Sequence, residues 1–188
     1  MHDGEAVNVE RFEPDGEPAS NFAGVIQIIH GFGQHIGHYR DMGKFLTGNG
    51  FVCVIHELRG FGEMPGKTGK QLKVARGTAP GYEYYLEDIK TIREKINQWY
   101  AGLPVILFGF SMGGNIAVNY LLKYQQEQYT KLILEAPWLR LYKPLPAFVT
   151  LLAGLIGKIN RNLTISTHFK ADYVSRNQDI INQYVKSR

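Results

Sequence analysis

The chain has 188 residues, of which 44% are hydrophobic and 20% charged. That is enough for one domain with a real core, and too apolar for a disordered or fibrous chain. The net charge of +4 is modest, and the basic residues do not interleave with aromatics in any recurring pattern, which argues against nucleic acid as a partner. The one cysteine, Cys53 in the run FVCVI, cannot form an internal disulfide and reads as a small buried hydrophobe. The N-terminus MHDGEAVNVERF lacks the basic start and apolar run of a signal peptide, so a cytoplasmic location is the expectation.

In chain order, Val7 to Phe12 (VNVERF) predicts a strand before the Pro14-Asp15-Gly16 turn. Val25 to His30 (VIQIIH) reads as a buried strand, followed by a short helix from about Tyr39 to Leu46 that ends at the Asn49-Gly50 stop signal. A second buried strand, Phe51 to Ile55, leads to the glycine-rich stretch Gly62 to Thr68. That stretch has three residues between its glycines where a phosphate-cradling loop needs four, and is read as a surface loop. Tyr85, Ile89, Ile92, Ile96 and Trp99 recur at helical spacing and predict an amphipathic helix laid on a sheet. The strand Val105 to Phe108, a helix after Ser111 carrying Ile116, Ala117, Tyr120, Leu121 and Tyr124, and the strand Leu132 to Ala136 complete the alternation.

Near-continuous apolar strands alternating with helices predict an α/β fold, a mostly parallel sheet with helices on both faces. From about Trp138 the pattern changes to an apolar helical stretch, a polar loop and a final helix rich in Ile and Gln. The expected organisation is a core over 1–138 and a lid or cap over 139–188. Leu145 to Gly157 is too short for a spanning helix, which needs about 20 residues, but leaves peripheral membrane contact open.

The sharpest chemical signal is Gly109-Phe110-Ser111-Met112-Gly113, with a strand before it and a helix after it. This G-x-S-x-G context places a serine at the tip of a strained turn, with the Met112 N–H at a helix start where an oxyanion would form. The bland alternative is a glycine-rich turn whose serine caps a helix. The second signal is His30-Gly31-Phe32-Gly33 at the end of a strand, where Phe32 occupies the place of the second backbone donor. A dinucleotide reading of these glycines has its third glycine, Gly37, one residue late; Glu57 could then hold the ribose. His30, His35 and His38 straddle a strand end, a turn and a helix start, which disfavours a shared metal, and no metal or cofactor is expected. His56, His168 and His2 are read as satisfied or solvated.

With HGFGQHIGHYRDMGKFLTGNGF, ELRGFGEMPGK and LPVILFGFSMGGNIA in view, and a fainter likeness at YVSRNQ, the chain resembles the monoacylglycerol lipase and lysophospholipase family of α/β-hydrolases. Glu57, Leu58, Phe61, Met64 and Phe110 depart from the commoner residues. The resemblance implies a serine hydrolase acting on acyl esters, with Ser111 as nucleophile, the Phe32 and Met112 N–H groups as oxyanion hole, a lid over the acyl chain, and a small lipid or ester as substrate. In that fold the triad runs Ser, Asp or Glu, His. Here the only downstream histidine is His168; Glu127 and Glu135, which precede it, are not placed at a strand end before the expected loop, and Asp172 and Asp179 follow it. The expectation is therefore a fold incomplete on its C-terminal side, truncated within the lid and nearly inactive alone, its strand LILEA exposed for self-association. The alternative is a non-catalytic binding or scaffold protein on a hydrolase frame.

Overall fold

The computed structural model describes residues 1–16, 18–64, 77–140, 146–159, 175–179 and 181–182. Among these residues five strands form one sheet: β1 (Val9–Phe12), β2 (Gly24–Ile29), β3 (Phe51–His56), β4 (Val105–Phe110) and β5 (Lys131–Glu135), in the order β1-β3-β2-β4-β5. β1 runs antiparallel to β3, and the other pairings are parallel. The helices are α1 (Arg40–Thr47), α2 (Tyr82–Trp99), α3 (Met112–Lys123) and α4 (Ala147–Ile159). This is the α/β architecture that the alternation of elements predicts, and it agrees with the fold the resemblance implies.

Strand alternation sorts the core into two layers. Val25 and Ile29 of β2, Val52 and Val54 of β3, and Val105 and Leu107 of β4 meet Ile89, Ile92 and Ile96 of α2 and Ile116 and Tyr120 of α3. Ile26, Ile28, Cys53, Ile55 and Phe108 point the other way, where Ile36, Tyr39, Met42 and Leu46 cover them. Gln27 is wholly buried yet satisfied: its amide donates to Ile89 O at 3.1 Å and accepts from the Tyr129 hydroxyl at 2.8 Å.

Several bounds differ from expectation: β1 begins at Val9 rather than Val7, β5 runs over Lys131–Glu135 rather than Leu132–Ala136, and three strand ends shift near the motifs. β2 ends at Ile29, so His30 already belongs to the loop; β3 runs on through His56; and β4 continues to Phe110, because the sheet ladder reaches Glu135 of β5. Edge strand β5 pairs with β4 alone among the described residues, and all five of its residues are exposed.

The chain divides into two compact units, Met1–Pro146 and Ala147–Arg188. In the second unit, α4 exposes Phe148, Leu151, Leu152, Leu155 and Ile156. Among the described residues no helix is long and apolar enough to cross a membrane. Most of the polar loop expected after the apolar stretch, His168 and Asp172 with it, lies outside the described residues, as do Pro65 to Thr68 of the glycine-rich stretch and part of the final helix; the first two residues of that polar loop belong to α4 instead.

Candidate active site

β4 reverses into α3 within one residue, and that residue is Ser111, at φ 51 and ψ −114. Such a conformation costs a non-glycine residue about 1–3 kcal/mol and persists only where its surroundings impose it. Here they do. A Cβ on Gly109 would lie 2.7 Å from Gly113 O and from the Gly114 Cα, and one on Gly113 would lie within 2.5 Å of His30 O and closer still to Ile29 O. The glycines of the motif are thus set by backbone against backbone. The Ser111 N–H donates to Glu135 O and its carbonyl accepts from Trp138 N–H, both at 2.9 Å, so the last residue of β5 and the loop after it clasp the turn. The Ser111 side chain makes no capping hydrogen bond, which removes the bland alternative of a helix-capping serine. The Met112 N–H, first in α3, donates to no acceptor among the described residues.

Ile29 pairs with Gly109, so the chain leaving β2 runs on beside the end of β4. There Gly31 to Gln34 form a tight turn, closed by Gln34 N–H to Gly31 O at 3.2 Å with Gly33 at φ 72. The Gln34 side-chain oxygen accepts from Gly31 N–H and from the Tyr39 hydroxyl, both at 2.8 Å. Burial first, and then the Glu135 carboxylate, push the Tyr39 phenol up, so it stays a donor. The Phe32 N–H, like that of Met112, finds no acceptor among the described residues. The Phe32 ring is half exposed and meets Phe61 edge-on at 5.2 Å.

The remaining candidates are engaged elsewhere. Glu57 is buried, accepts from Ile36 N–H at 3.2 Å and fills the space a Cβ on Gly62 would need, so it is not presented to a ribose. His35 and His38 stack at 4.0 Å and cap the turn before α1, and burial pushes His38 down to about 4. Burial pushes the Cys53 thiol up to about 12, which suits an inert core residue. Glu135, set aside in the sequence, does end a strand, and what it gives the turn is its backbone oxygen. No histidine hydrogen-bonds the Ser111 hydroxyl among the described residues. Sequence reasoning missed the Gln34 and Tyr39 support of the turn; a glutamine directly after a glycine turn was its only signal.

His56 corrects an expectation, being neither satisfied nor solvated. Alternation along β3 turns it inward on the Val52 and Val54 side, fully buried, with both ring nitrogens unpartnered. Burial pushes its pKa from 6.5 down to about 3. The unfolded chain therefore binds a proton below about pH 6.5 that the folded chain refuses. This contribution to stability is intact above that pH and lost as pH falls towards 3, by at most about 1.4 kcal/mol per pH unit. Urea unfolding of wild type and His56→Met between pH 7.5 and 4.5 checks this. Wild type is expected to lose more stability on acidification, and parallel curves would refute it.

The family described as serine aminopeptidase, S33 (Hydrolase_4) matches residues 20–188. Phospholipase YtpA of Bacillus subtilis is 27% identical over 84% of this chain and 57% of its own length. The human monoglyceride lipase is 26% identical over 97% of this chain and 56% of its own length. The crystal structure of the Paleococcus ferrophilus monoacylglycerol lipase superposes with a TM-score of 0.74 at 26% identity, covering 96% of this chain and 62% of that one. The chain thus spans little more than half the length of the curated relatives it matches. Since the match takes in the strained serine, its glycines and the turn beside it, the chain belongs to the serine aminopeptidase, S33 family of α/β-hydrolases.

Proposed function

We propose that this chain carries the nucleophile and oxyanion hole of a serine hydrolase that cleaves carboxylic esters of the monoacylglycerol or lysophospholipid kind. One observation carries the reading: Ser111 is held at positive φ on the tip of the β4–α3 turn by glycines that nothing larger could replace. The Ser111 oxygen attacks the ester carbonyl, and the oxyanion forms against the N–H groups of Phe32 and Met112, each unclaimed among the described residues. Collapse expels the alcohol and leaves an acyl group on Ser111, which water removes. The relatives named for phospholipids and monoacylglycerols support the substrate class. The serine proton passes to a base that is none of the described histidines as they are placed here, since none of them hydrogen-bonds the Ser111 hydroxyl.

The test is covalent. Prolonged incubation with a long-chain alkyl fluorophosphonate forms an Oγ–P bond and expels fluoride, the proton passing to buffer. Peptide mapping is expected to find the adduct on Ser111 and on no other residue, with no uptake by Ser111→Ala. Labelling elsewhere, or undiminished labelling of the alanine variant, refutes the nucleophile; a wild type that never labels favours the scaffold alternative.

A further inference from the structure

The observation is a hydrogen-bond chain that begins in the core and ends on the turn beside Ser111. His30 is completely buried. Its Nε2 accepts from Leu58 N–H at 2.9 Å, and a nitrogen that accepts carries no proton, so in the neutral ring the proton sits on Nδ1. Nδ1 lies 2.9 Å from Gly31 O and donates to it. The Glu57 carboxylate stands 3.5 Å from Nε2, too far for a hydrogen bond and facing a lone pair already engaged. Phe61 packs edge-on against the ring at 6.1 Å and passes the contact on to Phe32.

The Gly31 oxygen and the Phe32 N–H belong to one peptide unit. The described chain has no cis peptide bond, so that unit is planar and trans, and its C=O and N–H point in opposite directions. Whatever fixes the Gly31 carbonyl fixes the Phe32 N–H. Among the described residues two donors reach that carbonyl, and the second, Gln34 N–H, is the longer at 3.2 Å. Gly31 itself lies against Phe110, the neighbour of Ser111: a Cβ there would come 2.8 Å from the ring.

We propose that His30 is a positioning residue: its Nδ1–H, set in that tautomer by Leu58 N–H, holds the Gly31 carbonyl inward and so aims the Phe32 N–H outward at the oxyanion. This rests on the reading of Ser111 as nucleophile. His30 touches no reacting atom and acts only through the peptide it holds. It also gives a reason for the neighbouring strand end, because Leu58, two residues past the end of β3, delivers its N–H to His30 rather than to the sheet.

The experiment combines the kinetics of fluorophosphonate uptake with ¹⁵N NMR of this chain. Removing one oxyanion donor typically slows reaction by about 10² to 10³, and a misaimed donor should approach that. His30→Phe, which fills the site without a donor, is expected to lower the saturating rate of Ser111 labelling at least about tenfold with little change in half-saturation. His30→Asn, which can donate to Gly31 O, should recover part of it. A folded His30→Phe that labels at the wild-type rate overturns the proposal, and so does a shift confined to half-saturation. The ¹⁵N spectrum of wild type is expected to show His30 protonated on Nδ1; an Nε2-protonated ring overturns the proposal even if every variant unfolds. Should wild-type Ser111 take up no label, the nucleophile reading fails, and His30 is then judged by the Phe32 amide resonance. Displacement in His30→Phe supports the positioning role, and an unmoved resonance refutes it.

Discussion

Gly113→Ala is expected to abolish the stable fold. The new methyl group would lie within 2.5 Å of His30 O and closer still to Ile29 O, and both are backbone atoms at the end of the central strand β2. No rotamer change can relieve this clash: either β2 or the first turn of α3 must move, and the core between them holds Ile29, Leu107 and Ile116 with essentially no exposure. Ordinary overpacking costs about 1–3 kcal/mol with side chains free to give. Backbone on backbone should exceed that, a large share of the ~5–15 kcal/mol that holds a domain together. Gly48→Ala is the control, since Gly48 has helical φ and its nearest contacts are ordinary at 3.5 Å. Urea midpoints should separate the two variants widely, and equal midpoints would refute the packing argument.

Asp88→Ala comes second in expected effect. The Arg59 guanidinium is buried and donates to Asp88 through Nε at 2.5 Å and Nη2 at 2.7 Å, while Asp3 takes two further bonds at 2.7 and 2.9 Å from a more exposed position. The Asp88 hydrogen bonds are the largest influence raising the guanidinium above its already high ordinary value. Removing Asp88 leaves a buried cation half paired, at a cost of about 3–5 kcal/mol. Asp3→Ala removes a partly exposed partner and should cost about 1 kcal/mol or less. The double variant Arg59→Met with Asp88→Leu should recover most of the loss, as apolar replacements of buried pairs often do. Thermal and urea unfolding of the three variants decides. A double variant no more stable than Asp88→Ala would show that the charges contribute more than their mutual compensation.

These two sites also show what a sequence displays. The strained turn was legible because its glycines stand within a few residues of Ser111 in the sequence, although only Gly109 is set by the motif itself; Gly113 is set by Ile29 O and His30 O, and Gly114 in part by Pro137. The parallel strands were legible because both their faces are covered, which leaves an unbroken apolar run; Gln27 interrupts VIQIIH only because Ile89 O and Tyr129 are there to meet it. His56 gave no such sign. A histidine ending an apolar run reads alike whether it turns into the core or out of it, and the antiparallel arrival of Val9 opposite it is a pairing across the chain. The same holds for Arg59 with Asp88 and for His30 with Leu58, whose partners lie 29 and 28 residues away. Proximity made by topology leaves no periodic trace.

Ser111 at φ 51 has a consequence in the terms of selection. A glycine at that position would accept the backbone without strain, and the serine hydroxyl repays nothing to the fold, since it caps no helix. A lineage selected for stability alone would drift to glycine there, and every generation that keeps the serine accepts a less stable turn. Its backbone is clasped by Glu135 O and Trp138 N–H, and the side chain that adds no capping bond is the one the rest of the turn is shaped to carry.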